Sequence, residues 1–268
     1  MKWKTDPFPH LIIDNFLSEK DFNQLTIELE TTTNIVQRIF KTSLENKIIL
    51  KDTLMKKNVR ELVDKMGSSE IKKIISQTID SKNILSMKDV EDYGGYSPYH
   101  ITENNGFLGS HVDHSSIKGG EFRHIANTIF YASTIWQRDW GGHTILFSRN
   151  GLSQVVKIDP VPNRLIFFIH SANSFHGVSR YFSNKNIQRR TFYHDYYVGK
   201  NEINQVMNKV NLKRKNKIYH SFHDTTFVPF LPFGLKNINL RNFFIATNFK
   251  YITGYFKYLI KLLFLKKY

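Results

Sequence analysis

Between the Gly-, Pro- and Asn-rich stretch "YGGYSPYHITENNG" and residue 198, the chain is a succession of short apolar runs separated by turn residues. The runs "HIANTIFYAST", "HTILFS", "RLIFFIHS" and "RTFYHDYYV" are rich in β-branched and aromatic residues. Their spacing and content predict a β-sandwich or an open barrel. No internal repeat is visible.

The first third reads differently. Leu11 to Ile13 form a strand, and Ser18, followed by Glu19 and Asp21, reads as the N-cap of a helix whose face carries Phe22, Leu25, Ile27 and Leu29. Residues 44 to 80 read as further helix, divided at Gly67-Ser68-Ser69, with Leu54, Val59, Leu62, Val63, Met66, Ile71, Ile74 and Ile75 as core candidates. After residue 200 a basic stretch, "NLKRKNKIYHSFHD", reads as surface or linker. "FVPFLPFG" is apolar but broken by prolines. In "NFKYITGYFKYLIKLLFLKKY", Lys250, Lys257 and Lys261 fall on one side of a helical wheel with aromatics and leucines around the rest. That is a basic amphipathic helix, whose apolar face docks either on the protein's own domain or on a membrane surface.

Composition narrows the chemistry. The 268 residues, 41% hydrophobic and 14% aromatic, suffice for a substantial core in one large domain or two modest ones. There is no cysteine, which excludes disulfides, zinc fingers, iron–sulfur clusters and any thiol nucleophile. Any metal is then held by His, Asp or Glu, which suits iron, manganese or zinc. The formal charge of +15 suggests an anionic partner, and a coding bias towards Lys, Asn, Ile and Phe explains it equally well. No nucleic-acid motif accompanies it. The N-terminus lacks a signal-peptide cleavage pattern and no run of about 20 apolar residues spans a bilayer, so the expectation is a cytoplasmic protein, peripheral to a membrane if residues 243–268 dock there.

The stretch "GFLGSHVDHSS" supplies the chemical clue. In an extended chain His111 and Asp113 point the same way, and His176, at the start of a strand in "SANSFHGVSR", is the best candidate for a third ligand. Two neutral imidazoles and one carboxylate on one face leave three octahedral positions open, the pattern of an oxygen-activating ferrous site. A dicarboxylate co-substrate needs a cation at its far end. Arg180, Arg189 and Arg190 follow His176, and Tyr131 offers a hydroxyl for the same carboxylate.

Taken together, Y-x6-G-F-L-x2-H-x-D, Y-A-S-x2-W, D-W-G-G-x-T-x-L-F, P-x2-N-R-L-I-F-F, H-G-V and R-x-T-F resemble the iron(II)/2-oxoglutarate-dependent oxygenases of the prolyl 4-hydroxylase-like branch, in order and approximate spacing over residues 96 to 198. The opening "PFPHLIIDNFLSEKD" is similar to that branch's lead-in strand and helix. The resemblance implies an α+β fold with a mainly β core, a double-stranded β-helix or jelly roll, with N-terminal buttressing helices and a C-terminal helical tail. Residues 1–200 would be the oxygenase domain, its N-terminal helical region spanning 1–90 and its jelly-roll core 91–200, and 201–268 a basic linker and amphipathic extension. It implies His111, Asp113 and His176 as Fe2+ ligands, with Arg189 and Tyr131 holding 2-oxoglutarate. Arg190 is the alternative to Arg189, since it is one residue away on the opposite strand face. The co-substrates implied are 2-oxoglutarate and O2, with L-ascorbate as a candidate accessory. The reaction implied is hydroxylation of a small-molecule or peptide substrate (a protein side chain, an amino acid or a sugar-like metabolite), an acidic one if the charge balance is a guide, with release of succinate and CO2. The sequence departs from the family in a longer His176–Arg189 interval and in His143, which follows Gly-Gly where an acid or Thr is usual.

Other readings stay open. "SHVDH" is half of the H-x-H-x-D-H box of zinc or manganese hydrolases, with Gly109 where its first His would stand. An inactive jelly-roll binding protein at a membrane surface is the remaining alternative. His114 reads as surface or as support for the ligands, His124, His170 and His194 as core or rim residues, His220 and His223 as surface, and Trp136 and Trp140 as packing or substrate-mouth residues. Neither substrate nor oligomeric state is written in the sequence.

Overall fold

The structure, a computed structural model, describes residues 2–51, 56–79, 81–90, 97–212, 224–229, 231–234 and 249–264. Leu54, His220 and His223 lie outside the described residues, as does most of the basic stretch that contains the two histidines.

Among the described residues, fourteen strands form one curled, wholly antiparallel sheet. In chain order the first elements are β1 (His10–Ile13), α1 (Glu19–Thr31), β2 (Ile35–Lys41), β3 (Glu45–Lys51), α2 (Lys57–Met66) and α3 (Ser69–Ile79). They are followed by β4 (Leu85–Ser86), β5 (Tyr99–Thr102), β6 (Phe107–Val112), β7 (Ser116–Ile117) and β8 (Phe122–Tyr131). Then come β9 (Thr144–Phe147), β10 (Gln154–Ile158), β11 (Leu165–Ile169), β12 (His176–Val178), β13 (Arg189–Gly199), α4 (Ile203–Leu212), β14 (Thr226–Phe227) and α5 (Phe249–Phe264). The spatial order β1-β11-β8-β13-β5-β3-β6-β12-β9-β10 makes two facing walls joined through β3. That strand pairs β5 at Ile48↔Ile101 and β6 at Glu45↔Leu108. The architecture is a double-stranded β-helix, or jelly roll, as the resemblance implies.

The larger wall buries its back against helices. Leu25 and Leu29 of α1, Val59, Leu62, Val63 and Met66 of α2, and Ile71, Ile75 and Ile79 of α3 share one core with Phe130, Phe168, Phe192 and Tyr196 of the sheet. Each such side chain withdrawn from water contributes about 1.5–3 kcal/mol. The Ser18 hydroxyl caps α1 by accepting from the Asp21 amide at 3.1 Å.

Two sequence readings need correction here. Ile27 is turned to solvent, 60% exposed, because the buried face of α1 runs through Leu25, Thr26 and Leu29. Residues 45–51 are not helix: "ENKIILK" pairs with "IVQRIFK" as an antiparallel hairpin, Phe40↔Lys47 and Ile39↔Ile48 in register. The Thr42 hydroxyl accepts from the Leu44 and Glu45 amides at 3.1 Å and closes the turn. Glu45, Lys47 and Ile49 share one face of β3, and tertiary pairing decides a short apolar run whose own period is ambiguous.

The tail helix α5 docks on the smaller wall. Tyr255 and Tyr258 are buried with Val112, Ile145, Phe147, Phe175 and Val228, and the Tyr255 hydroxyl donates to the Asn150 carbonyl. One face of the amphipathic helix therefore meets the protein's own core. No helix among the described residues is long and apolar enough to cross a membrane.

Candidate active site

Antiparallel pairing brings the ligand candidates together. His176 at the start of β12 lies directly opposite His111 on β6, and Asp113 follows His111 two positions on. The His111 Nε2 is 3.2 Å from Asp113 Oδ1, the His176 Nε2 is 3.2 Å from Asp113 Oδ2, and the two rings lie 4.4 Å apart. Each imidazole is held from behind: Nδ1 of His111 donates to the Gly109 carbonyl at 2.9 Å and Nδ1 of His176 to the Ser174 carbonyl at 3.1 Å. With the proton on Nδ1, both Nε2 lone pairs converge on a carboxylate. Three electron donors facing one point repel unless a cation sits among them, so this donor set fits a divalent metal.

Burial, and then the neighbouring His176, push the His111 pKa down. For Asp113 burial acts upwards, but His176 and His111 outweigh it and hold the carboxyl well below the usual range. The ring of Phe227 stacks on His111 at 5.0 Å and Phe168 lies 4.6 Å from His176, so the imidazoles cannot swing away.

His111, Asp113 and His176 open onto a cavity of about 540 Å3 between the walls, which Arg189 and Thr144 also line. Arg189 is 4% exposed; its Nε donates to the Gly142 carbonyl at 2.7 Å and its guanidinium sits 5.2 Å over the Tyr131 ring. The Tyr131 hydroxyl donates to Thr144 Oγ1 at 2.6 Å, and Arg189 Nη2 reaches the same oxygen at 3.5 Å. No carboxylate among the described residues pairs with this buried cation, and burial lowers its pKa. A buried, unneutralised guanidinium beside a tyrosine is a fit for an anionic co-substrate carboxylate. Gly142 permits the approach: its φ is +70°, and a Cβ there would lie 2.9 Å from Arg189 Cδ. Arg190 takes the opposite strand face, with its amide held by the Ser133 hydroxyl at 2.9 Å, and it borders a separate surface pocket.

The remaining residues singled out in the sequence fall as follows. His143 faces away from the cavity, with Nδ1 3.2 Å from the Ser179 hydroxyl and Nε2 3.2 Å from Asp159, and burial pushes its pKa down to about 4. Trp136 donates from Nε1 to the Gly141 carbonyl, and Trp140 is buried against Tyr181, so both are packing residues. Arg180 lies over the Phe107 ring, and its Nη1 donates to the Asn105 carbonyl at 3.0 Å. His124, His170 and His194 are fully buried.

His114, His124 and Asp195 form a second group whose ligand atoms lie within 4.8 Å of one another. Its chemistry differs. His124 faces acceptors with both nitrogens, the His114 carbonyl at 3.0 Å from Nδ1, and the Ala126 carbonyl at 3.2 Å and Asp195 at 3.6 Å from Nε2. Burial acts to lower the His124 pKa, but Asp195 outweighs it and the net direction is up. Protons rather than a metal satisfy this imidazole.

The two groups are linked by Asn127, which sequence reasoning misses together with Asp195, Glu45 and Lys47. Asn127 and Asp195 are register partners of β8 and β13, and such a pairing leaves no local signal.

Residues 95–194 match the model of the 2OG-Fe(II) oxygenase superfamily. The chain shares its fold with a Pseudomonas putida prolyl-4-hydroxylase, at 14% identity and TM-score 0.50, over 70% of this chain and 91% of that one. A prolyl hydroxylase from Trichoplax adhaerens, solved with a hypoxia inducible factor oxygen degradation domain peptide, aligns at 15% identity and TM-score 0.49 over 77% of this chain and 87% of its own. The viral collagen prolyl hydroxylase of Paramecium Bursaria Chlorella virus-1, in its 2OG complex, aligns at 14% identity and TM-score 0.47, covering 72% and 98%. No curated protein matches the sequence. The family match thus falls on the β-rich region that carries His111, Asp113 and His176, and the solved structures share its fold.

Proposed function

We propose that this oxygenase hydroxylates a carbon of its substrate, with His111, Asp113 and His176 holding Fe2+ and Arg189 and Tyr131 holding the distal carboxylate of 2-oxoglutarate. The single observation that carries this reading is the convergence of the His111 and His176 Nε2 atoms on Asp113 inside the cavity that also receives Arg189, which no carboxylate among the described residues neutralises. When bound, iron(II) with 2-oxoglutarate and O2 supplies oxidative decarboxylation to succinate and CO2, with one oxygen atom inserted into a substrate C–H bond to give an alcohol.

The chain's own residues supply the frame. The Gly109 and Ser174 carbonyls fix the imidazole tautomers, Asn127 orients Asp113, and the Arg189–Thr144–Tyr131 cluster sets the depth and direction of the co-substrate. The apolar wall of Phe168, Phe227 and Ile129 keeps bulk water from the reacting face. L-ascorbate would serve as reductant when turnover runs without substrate.

The test is purified chain with ferrous iron and labelled 2-oxoglutarate. Slow, ascorbate-sustained release of succinate is expected without any added substrate, and its loss in Asp113→Ala. Release that is absent, or that is independent of iron, overturns the reading.

The outer side of α5 carries Phe256 (51% exposed), Ile260 (52%), Leu263 (63%) and Phe264 (66%) in one stripe, with exposed Lys257 and Lys261 beside it. No acidic residue lies in Phe249–Phe264. An apolar stripe flanked by cations suits the interface of an anionic membrane.

A further inference from the structure

The cavity contains two charges that neither the metal nor the co-substrate uses. Glu45, Lys47 and Ile49 alternate along β3 so that all three side chains line it, on the strand that joins the two walls. Lys47 Nζ lies 3.4 Å from Glu45 Oε2, and the two side chains are only 19% and 12% exposed. The ammonium also sits 5.1 Å over the Phe40 ring. Lys47 is close enough to the metal end that its charge helps to lower the pKa of both His111 and His100.

A half-buried ion pair of this kind is a poor device for stability. Its desolvation cost rivals its Coulomb gain, and an apolar pair would close the cavity better. The 3.4 Å separation is also long beside the 2.7–2.9 Å of a well-made charge-assisted hydrogen bond. The remaining wall is aromatic, with Phe40, Tyr193, Phe227 and Tyr251. His100 packs 4.6 Å from Tyr193, and its buried Nε2 has no hydrogen-bond partner among the described residues. Burial holds that imidazole neutral, so it offers one polar contact without charge.

We infer that Glu45 and Lys47 form a subsite for a small zwitterionic substrate of the free amino-acid class, Lys47 receiving its carboxylate and Glu45 its ammonium group. The inference rests on the oxygenase reading above and narrows it. A residue inside a peptide carries neither charge on its backbone, so it gives nothing to exchange for the ion pair. A zwitterion replaces that pair with two new ones and extends its side chain along the aromatic wall towards the metal ligands. Glu45 and Lys47 are binding residues in this scheme, and the carbon hydroxylated is on the ligand's side chain.

The experiment sets each proteinogenic L-amino acid beside its N-acetyl amide, with the full chain. One readout is the melting temperature in the presence of Zn2+ and 2-oxoglutarate, which does not turn over. The other is succinate release with ferrous iron. The expected result is that at least one free amino acid raises the melting temperature by about 2–4 °C and stimulates succinate release, and its capped form does neither. Lys47→Met and Glu45→Gln should each abolish that shift, and Lys47→Arg and Glu45→Asp should restore much of it. If a capped form works as well as the free one, or none of the free amino acids shifts the melting temperature, the inference is overturned. Substrate-free succinate release persisting in that case leaves the oxygenase reading intact. Its absence beside an intact melting shift defeats that reading alone.

Discussion

Asn127 reaches Asp113 from behind, donating through Nδ2 to Oδ2 at 3.1 Å, and the same nitrogen reaches Asp195 Oδ1 at 3.1 Å. The carboxylate that faces both imidazoles is thereby fixed in rotation. Supports of this kind are worth about 10–100-fold in metal affinity. Asn127→Leu should lower affinity by that range while the fold survives. Calorimetric titration with Fe2+ or Co2+ checks it, and an unchanged affinity would show that Asp113 needs no such support.

The two histidine–aspartate groups should behave differently towards metal. Wild-type chain should take up a single tightly bound ion, and Asp113→Ala should lose it. His124→Ala should leave the stoichiometry unchanged, because the His124 nitrogens face acceptors rather than a vacant ligand position. Metal analysis after dialysis decides it, and retention of the ion by Asp113→Ala would move the metal site to the second group.

Arg189 and Arg190 are neighbours with opposite fates, one in the cavity and one outside it. Removing a buried cation that pairs with a ligand carboxylate costs about 2–5 kcal/mol, so Arg189→Leu should raise the KM for 2-oxoglutarate by about 30-fold or more. Arg189→Lys should recover only some of this, since an ammonium lacks the planar fork. Arg190→Ala should change KM little. Equal effects of Arg189→Leu and Arg190→Ala in steady-state kinetics would refute the assignment.

Acid should unfold the metal-free chain through buried imidazoles. Burial pushes His194 and His143 down to about 4, so both are neutral in the folded chain well below the pH at which an unfolded imidazole protonates, about 6.5. Between those values the unfolded chain binds more protons, and stability falls as pH drops. Each histidine contributes a slope of up to about 1.4 kcal/mol per pH unit. Urea unfolding of wild type and His194→Leu between pH 7 and 4 should show a shallower slope in the variant, and parallel slopes would mean that His194 is protonated in the fold.

The outer stripe of α5 can be altered without touching the docked face. Phe256→Ser/Ile260→Ser/Leu263→Ser should leave the melting temperature unchanged and cut co-sedimentation with anionic vesicles on the order of tenfold. Raised salt should weaken wild-type binding, with Lys257 and Lys261 each worth about 1 kcal/mol near a charged surface. Undiminished sedimentation of the triple variant would mean that the stripe is not the contact.

How far the sequence can be read depends on whether a signal is local. The jelly-roll strands after residue 97 announce themselves by aromatic and β-branched runs between turn residues, and H-x-D aims two candidate ligands the same way by alternation alone. The α1 cap at Ser18 and the break at Gly67 are equally local, and both appear where the sequence places them. The hairpin of β2 and β3 escapes such reading because "KIIL" has no period of its own within four residues, and with it go Glu45 and Lys47.

By itself the sequence determined the element types over most of the β core, the donor atoms available to a metal, and the absence of any thiol to compete with them. Only the tertiary structure decided that His176 lies opposite His111, that Arg189 rather than Arg190 enters the cavity, and that Asn127 joins Asp113 to Asp195. The reason is physical. Alternation and capping act within a few residues, but strand register and wall closure are set by the burial of whole faces, and these bring together side chains tens of residues apart that carry no mark of one another.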